Sequence, residues 1–457
     1  MNQRTLTRTE RRTLALAAGL LGLVVSLGLH PPAATAAAAA GTPSPASHRI
    51  GALCAAPSPG RSGCLGLRLV SDEPAAEQST PIPQSLTPAN ILTAYALNGI
   101  TPPSTQTIAL VDAYDNATIA EDLETFDKQF SLPSCNEANG CFRKVNQEGE
   151  VAPLPESSGP KERGWAQEIA TDVEVAHGVC QSCKILLVEA NSNENNDLYT
   201  AEQTAVALGA TEISNSWGGE EPSFDSPAFN HPGVVITASS GDEGYLDWLT
   251  GEPSAAAQYP ASSPHVIGVG GTRLLRNAES GAWEGETVWN DGGFNGLSFE
   301  GAGAGGGGCS ASFAATSWQQ SVPDWSSVGC GGLRAVADVS ADADPYTGVA
   351  VYDSTETPEG EKGWAMIGGT SVASPIVASV FALAGGAHGV AYPSHTLYEN
   401  LASDPSSLHD VVSGSNGECL KRPSKKTGAS TCSAAEEAAS SCEGHAICLA
   451  GAGFDGP

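Results

Sequence analysis

A doubly wound α/β architecture, with a mainly parallel sheet and helices on both faces, is what residues 86–457 predict for one large domain. Three observations carry that prediction. Short unbroken apolar runs recur along the chain, helical segments separate them, and an Asp–Gly-rich motif follows directly on one of the runs. Strands buried on both faces read as continuous apolar runs. Alternation with helices implies parallel pairing through crossovers. In such sheets the working groups lie at the carboxyl ends of the strands.

The elements follow in order. Residues 88–95 read as a helix leading into a strand-like run, 107–111, and then Asp112-Ala113-Tyr114-Asp115. Helices are expected over 117–130 and 165–178, and 185–189 is a continuous apolar strand. A helix over 198–208 precedes strands near 213–217, 234–238 and 266–269. The glycine-dominated stretch 292–308 suits either a surface loop or close approach of a substrate backbone, and spacing does not separate the two. Gly368-Gly369-Thr370-Ser371 then opens onto an apolar helix over 376–384.

The N-terminal region differs in kind. Arg4, Arg8, Arg11 and Arg12 precede an apolar run at 14–29 and a set of Ala-x-Ala positions. That pattern is a secretory signal over residues 1–40, so a secreted protein is expected. Residues 41–85 are rich in Pro, Ala and Ser and read as a linker or short prosegment. No second apolar run is long enough to span a bilayer. Of the 457 residues, 40% are hydrophobic and 16% charged, a globular balance. With 21 basic against 51 acidic residues the net charge is −30, which excludes a general nucleic-acid binder.

Twelve cysteines in an exported chain imply disulfides. Short separations suggest Cys135 with Cys141, Cys180 with Cys183 and Cys309 with Cys330, while the four cysteines within 419–448 leave their connectivity open. His177-x-x-Cys180-x-x-Cys183 offers three zinc-type ligands, but no fourth lies nearby. A His-Glu-x-x-His zinc-hydrolase motif is absent from the sequence.

Ser371 carries the sharpest chemistry. Two glycines permit a tight turn, and a hydroxyl at the start of a helix is held on a rigid element near backbone N–H groups and the positive dipole end. Such a serine attacks once a base takes its proton, although an N-cap serine has the same pattern. Two bases are available. One is His177 with Asp112, in the manner of a Ser-His-Asp triad. The other is Glu168 with Asp172, four residues apart and therefore on one helical face. Asp242, in Ser239-Ser240-Gly241-Asp242-Glu243-Gly244, is either a turn residue or an acid directed at an oxyanion.

Taken together, these blocks resemble the sedolisins, serine-carboxyl peptidases related to the subtilisins. The resemblance covers about residue 85 to the end. Its blocks include Glu168-x-x-x-Asp172, Ile213-Ser214-Asn215-Ser216-Trp217-Gly218, Ser240-Gly241-Asp242, Val269-Gly270-Gly271-Thr272 and Gly369-Thr370-Ser371. It implies a subtilisin-like fold with Ser371 as nucleophile, Glu168 as general base, Asp172 orienting that glutamate and Asp242 as the oxyanion-hole acid. It also implies one structural calcium ion at Asp410, Val411, Gly451, Gly453 and Asp455, with 419–448 forming a cysteine-rich insertion in that region. The activity implied is a monomeric secreted endopeptidase, cutting protein or peptide substrates in acid through an acyl-enzyme. Two alternatives stand beside it. A catalytically silent binding module would be expected to have lost one of Ser371, Glu168, Asp172 or Asp242, and all four are present. A neutral subtilisin-type protease would use Asp112 and His177, but Val179 stands where the subtilisin His-Gly-Thr pattern has threonine.

Overall fold

Alternate residues of the apolar runs feed two different cores, which is why these strands have no polar face. Ile108 and Leu110 join one apolar cluster, whereas Ala109, Val111 and Ala113 join another. Ile185 and Leu187 divide from Leu186 and Val188 in the same way. The computed structural model describes residues 48–71, 77–157, 159, 164–245, 257–291, 303–357, 360–417 and 446–451. All of them lie in the unit Ala46–Pro457, so the expected signal at 1–40 lies outside the described residues.

An eight-stranded sheet forms the centre. Its strands are β1 (Thr107–Ala113), β2 (Phe142–Asn146), β3 (Lys184–Ala190), β4 (Glu212–Asn215), β5 (Val235–Ser239), β6 (Ile267–Arg276), β7 (Trp283–Val288) and β8 (Val339–Asp342). They run in the order β7-β6-β5-β4-β1-β3-β2, with β8 also on β6. Every pairing is parallel except β6 with β7.

The helices that matter are α1 (Ile119–Phe130), α2 (Gly164–Val179), α3 (Asn195–Ala207) and α4 (Thr370–Ala384). Leu198, Ala201 and Ala205 of α3 pack into one cluster, while Ile169, Val173 and Ala176 of α2 and Val372, Ala373 and Ile376 of α4 pack into the other. The sheet is therefore covered on both faces, and the fold is the subtilisin-like α/β one. Every residue of α2 is buried, so it shows no amphipathic stripe.

Two departures from the sequence reading bear on the site. The helix expected from residue 376 begins at Thr370 and runs through Pro375. Proline lacks the N–H that would bond the carbonyl four residues back. That carbonyl belongs to Ser371, and the Ser216 hydroxyl lies 3.3 Å from it instead. The second departure is in 41–85, where the local pattern shows little structure. Strands His48–Ala52, Leu67–Ser71 and Glu77–Gln78 join β9 (Val349–Asp353) and β10 (Lys362–Gly368) in a five-stranded sheet. These pairings are long-range: Arg68 opposes Ile367 and Leu67 opposes Gly368. No local periodicity could reveal them.

Candidate active site

Sequence places Glu168 and Asp172 on α2, and Ser371 on the first turn of α4. The two helices lie side by side, with the Ser379 hydroxyl donating 3.4 Å to the Ala176 carbonyl. The segments after β4 and β5 complete the site from the carboxyl ends of adjacent parallel strands: Ser216 follows β4, and Asp242 lies three residues beyond β5. Ser371, Glu168 and Asp172 are fully buried, and Asp242 is 4% exposed.

The turn into α4 depends on Gly369, whose φ of 93° is unfavourable for any residue with a side chain. A Cβ there would also lie 2.4 Å from the Leu65 carbonyl oxygen and 2.6 Å from Asp242 Oδ2. The backbone therefore passes close to two oxygens that meet at one point. Thr370 fixes the aspartate: its N–H and its hydroxyl donate to Asp242 Oδ1 at 2.7 and 2.8 Å. Oδ2 is buried with no hydrogen-bond partner among the described residues. Burial raises the Asp242 carboxyl to about 7, against the smaller opposing effect of the two Thr370 donors. Below that value it carries a proton and is a donor.

Ser216 Oγ donates to Asp172 Oδ1 at 2.7 Å, and the Ser371 hydroxyl donates to the Ser216 carbonyl at 3.3 Å. Burial pushes Glu168 well above the ordinary carboxylate range; the Ser371 hydroxyl and the Gly66 N–H favour its anion, while Asp112 and Asp242 oppose it. Neither favourable contact is closed to a full hydrogen bond, and both Glu168 oxygens lack a formed partner among the described residues. Catalytic hydrogen bonds are often long before substrate binds. Asp172 is raised by burial and then by Asp112 and Glu168. Asp112, raised to about 8 by burial alone, thus belongs to this acidic group. The three carboxyls titrate as one coupled set rather than singly.

The alternative base is not assembled. His177 Nε2 lies 3.0 Å from the Pro133 carbonyl and 3.0 Å from Asp127 of α1. It faces α1, whereas Asp112 faces Asp172. The zinc reading of Cys180 and Cys183 fails for a chemical reason: the two form a disulfide and offer no thiolate. Cys135 joins Cys141 and Cys309 joins Cys330, as expected from spacing, and Cys54 joins Cys64.

With this geometry in place, the comparisons with known proteins identify the family. Residues 159–401 match the subtilase family. The chain belongs to that family, and within it to the sedolisins. Kumamolisin from Bacillus sp. (strain MN-32) is 31% identical over 363 residues, which are 75% of this chain and 59% of kumamolisin. Sedolisin from Pseudomonas sp. (strain 101) is 28% identical over 351 residues, 72% of this chain and 56% of sedolisin. The chain thus spans less than two thirds of the length of these relatives. A solved structure of Pseudomonas sedolisin, described as a serine-carboxyl proteinase complexed with two molecules of pseudo-iodotyrostatin, superposes with a TM-score of 0.59 at 27% identity. That match covers 74% of this chain and 90% of the sedolisin chain.

Sequence reasoning missed three contributors. Thr370 and Ser216 sit inside the quoted motifs, but nothing in their spacing says that one anchors Asp242 and the other Asp172. The third is the stretch around Leu65, for which the sequence carries no local signal. Of the residues expected to hold calcium, Asp410, Val411 and Gly451 are described, whereas Gly453 and Asp455 lie outside the described residues. So does the 419–448 insertion, apart from residues 446–448. The chain does bring both arms of that region together. Ser415 pairs with Leu449, the Asn416 N–H donates to the Cys448 carbonyl at 3.2 Å, and the Ala450 N–H donates to the Gly414 carbonyl at 3.1 Å.

Proposed function

We propose that the chain is a secreted serine-carboxyl endopeptidase that hydrolyses peptide bonds of proteins in acid through an acyl-enzyme. The observation that carries this reading is the buried Asp242 Oδ2, without a hydrogen-bond partner among the described residues, beside the point where a carbonyl oxygen already sits near the Ser371 N–H. The Ser371 hydroxyl attacks the substrate carbonyl carbon, and its proton passes to Glu168. Asp172, held by Ser216, keeps the charge of that glutamate group in one place. The developing oxyanion accepts hydrogen bonds from the Ser371 N–H and from protonated Asp242, an arrangement worth roughly 3–4 kcal/mol per donor in related acyl transfers. Glu168 returns its proton to the departing nitrogen, and water then releases the acyl group by the same route.

The expected pH dependence follows. Rising pH ionises Asp242 through its value of about 7, and an ionised carboxylate repels the oxyanion. Falling pH protonates the Glu168–Asp172–Asp112 set and removes the base. In Asp242→Asn an amide donates at any pH, so the variant should retain part of the activity and its alkaline limb should move upward. Measuring kcat/KM against pH for both proteins checks this, and an unshifted alkaline limb would assign that limb to another group.

Calcium is part of the same proposal. Asp410, Asp455 and backbone carbonyls of Val411, Gly451 and Gly453 form an oxygen-only donor set suited to a hard cation. The pairing of 414–416 with 448–450 supports the fit, because among the described residues it holds the chain that follows Asp410 and Val411 against the chain that precedes Gly451. Bound there, the ion would tie the two arms together; it takes no part in peptide hydrolysis. A ligand that binds only the native state adds about 2.7 kcal/mol at a hundredfold excess over its Kd. Chelator should therefore lower the melting temperature, and Asp410→Ala should abolish that response. An unchanged melting temperature in chelator would count against the site.

A further inference from the structure

Residues 53–66 connect the paired strands His48–Ala52 and Leu67–Ser71 and enter the cleft as a peptide would. Gly63 and Cys64 run antiparallel to Gly218 and Trp217. The Leu65 N–H donates to the Ser216 carbonyl at 3.0 Å, and the Leu65 carbonyl accepts from the Ser371 N–H at 3.1 Å. On the other flank the Ser62 N–H donates to the Asn193 carbonyl at 3.0 Å, and the Asn195 N–H donates to the Gly60 carbonyl at 3.1 Å. The segment is thus an added strand between two edges, read through its backbone. Leu65 is 1% exposed, with its side chain against Gly218. The Gly66 N–H faces Glu168, and a Cβ on Gly66 would lie 2.4 Å from Glu168 Oε2. The carbonyl carbon of Leu65 lies beside the attacking serine, and the nitrogen of Gly66 lies beside the acid.

We propose that Leu65–Gly66 is the bond this enzyme cuts in its own chain; the proposal rests on the serine-carboxyl reading above. Ser371 Oγ bonds to the Leu65 carbonyl carbon while its proton passes to Glu168. The Leu65–Gly66 C–N bond breaks, Glu168 delivers the proton to the Gly66 nitrogen, and water hydrolyses the Leu65 ester. The products are a chain ending at the Leu65 carboxylate and one beginning at the Gly66 amine. Cys54 and Cys64 bridge to each other on the same side of the cut, so this disulfide does not tie the products together. Non-covalent contacts do hold them. The Leu53 N–H donates to the Gly66 carbonyl at 2.9 Å, and His48–Ala52 stays paired with Leu67–Ser71. Cleavage therefore precedes opening of the cleft, and activity on added protein lags behind it.

The test uses the purified full chain and Ser371→Ala, incubated across the acidic range and followed by N-terminal sequencing and intact mass, with a denatured protein as added substrate. The expected result is a new N-terminus at Gly66, formed at a rate unchanged by dilution and before added protein is digested. In Ser371→Ala the bond should stay intact while the circular dichroism matches that of the parent. A parent chain that digests added protein with Leu65–Gly66 intact overturns this inference and leaves the peptidase reading standing. The same bond cut equally in Ser371→Ala also overturns it. A chain that cuts neither itself nor added protein contradicts both.

Discussion

Ser371→Ala should lower turnover of a denatured protein by about 10⁴-fold or more, since removing the attacking serine of subtilisin costs on the order of 10⁶ in kcat. The expected effect is this large because, on the proposed reading, the hydroxyl is the atom that bonds to substrate and the neighbouring groups act only through it. Glu168 would have no proton to take, and the Ser371 N–H and Asp242 would be left to polarise a carbonyl that nothing attacks. The fold should survive. Among the described residues the one formed hydrogen bond of the Ser371 hydroxyl is the 3.3 Å contact with the Ser216 carbonyl, and its N–H, which alanine keeps, makes the contact with Leu65. Matched thermal melts with a lost rate check both halves. A melt that collapsed together with the rate would show that Ser371 holds the helix start and would leave the nucleophile unassigned.

The second large effect is on stability. Asp112 and Glu202 are each raised to about 8 by burial, and Asp242 to about 7. Glu168, Asp172 and Glu174 are raised well above the ordinary range, again chiefly by burial. Both oxygens of Asp112, Glu168 and Glu202 lack a formed hydrogen-bond partner among the described residues. A carboxyl raised in the folded state binds its proton more tightly there than in the unfolded chain. Its contribution is complete below the unfolded value, near ~4, and disappears as pH rises through the folded value. Ionising one group held near 8 against ~4 costs on the order of 5 kcal/mol, which is comparable with the whole stability of a domain. The melting temperature should therefore be highest in acid and fall by about 10 °C or more above neutrality. Melts of Ser371→Ala across pH avoid self-digestion, and a flat or rising curve would mean that these carboxyls are paired or hydrated. On the reading proposed above, Glu174 and Glu202 stay neutral in acid, whereas the Glu168–Asp172–Asp112 set shares its protons and gives one up there to serve as base.

Much of this was legible in residues. Unbroken apolar runs gave away the two-faced sheet, and the expected helix over 165–178 stops one residue short of Gly164–Val179 at each end. Glu168 and Asp172 share a helical face because they are four apart, and the glycine pair before Ser371 marks the turn that its positive φ requires. What escaped was long-range. Arg68 opposite Ile367, Leu65 beside Ser371 and Thr370 on Asp242 each join segments far apart in sequence, and a single sequence records no pairing across such distances. Asp112 was visible only as a partner for His177. Its place beside Asp172 is a contact between β1 and α2, while His177, further along α2, meets Asp127 of α1 instead.

On the proposed reading a glutamate, not a histidine, takes the proton of Ser371. The pH dependence of kcat/KM on a denatured protein tests it most directly. The expected result is a bell lying on the acidic side and falling away above neutrality, and absent in Ser371→Ala. A maximum at neutral to alkaline pH, rising through ~6.5 as a histidine loses its proton, would contradict it.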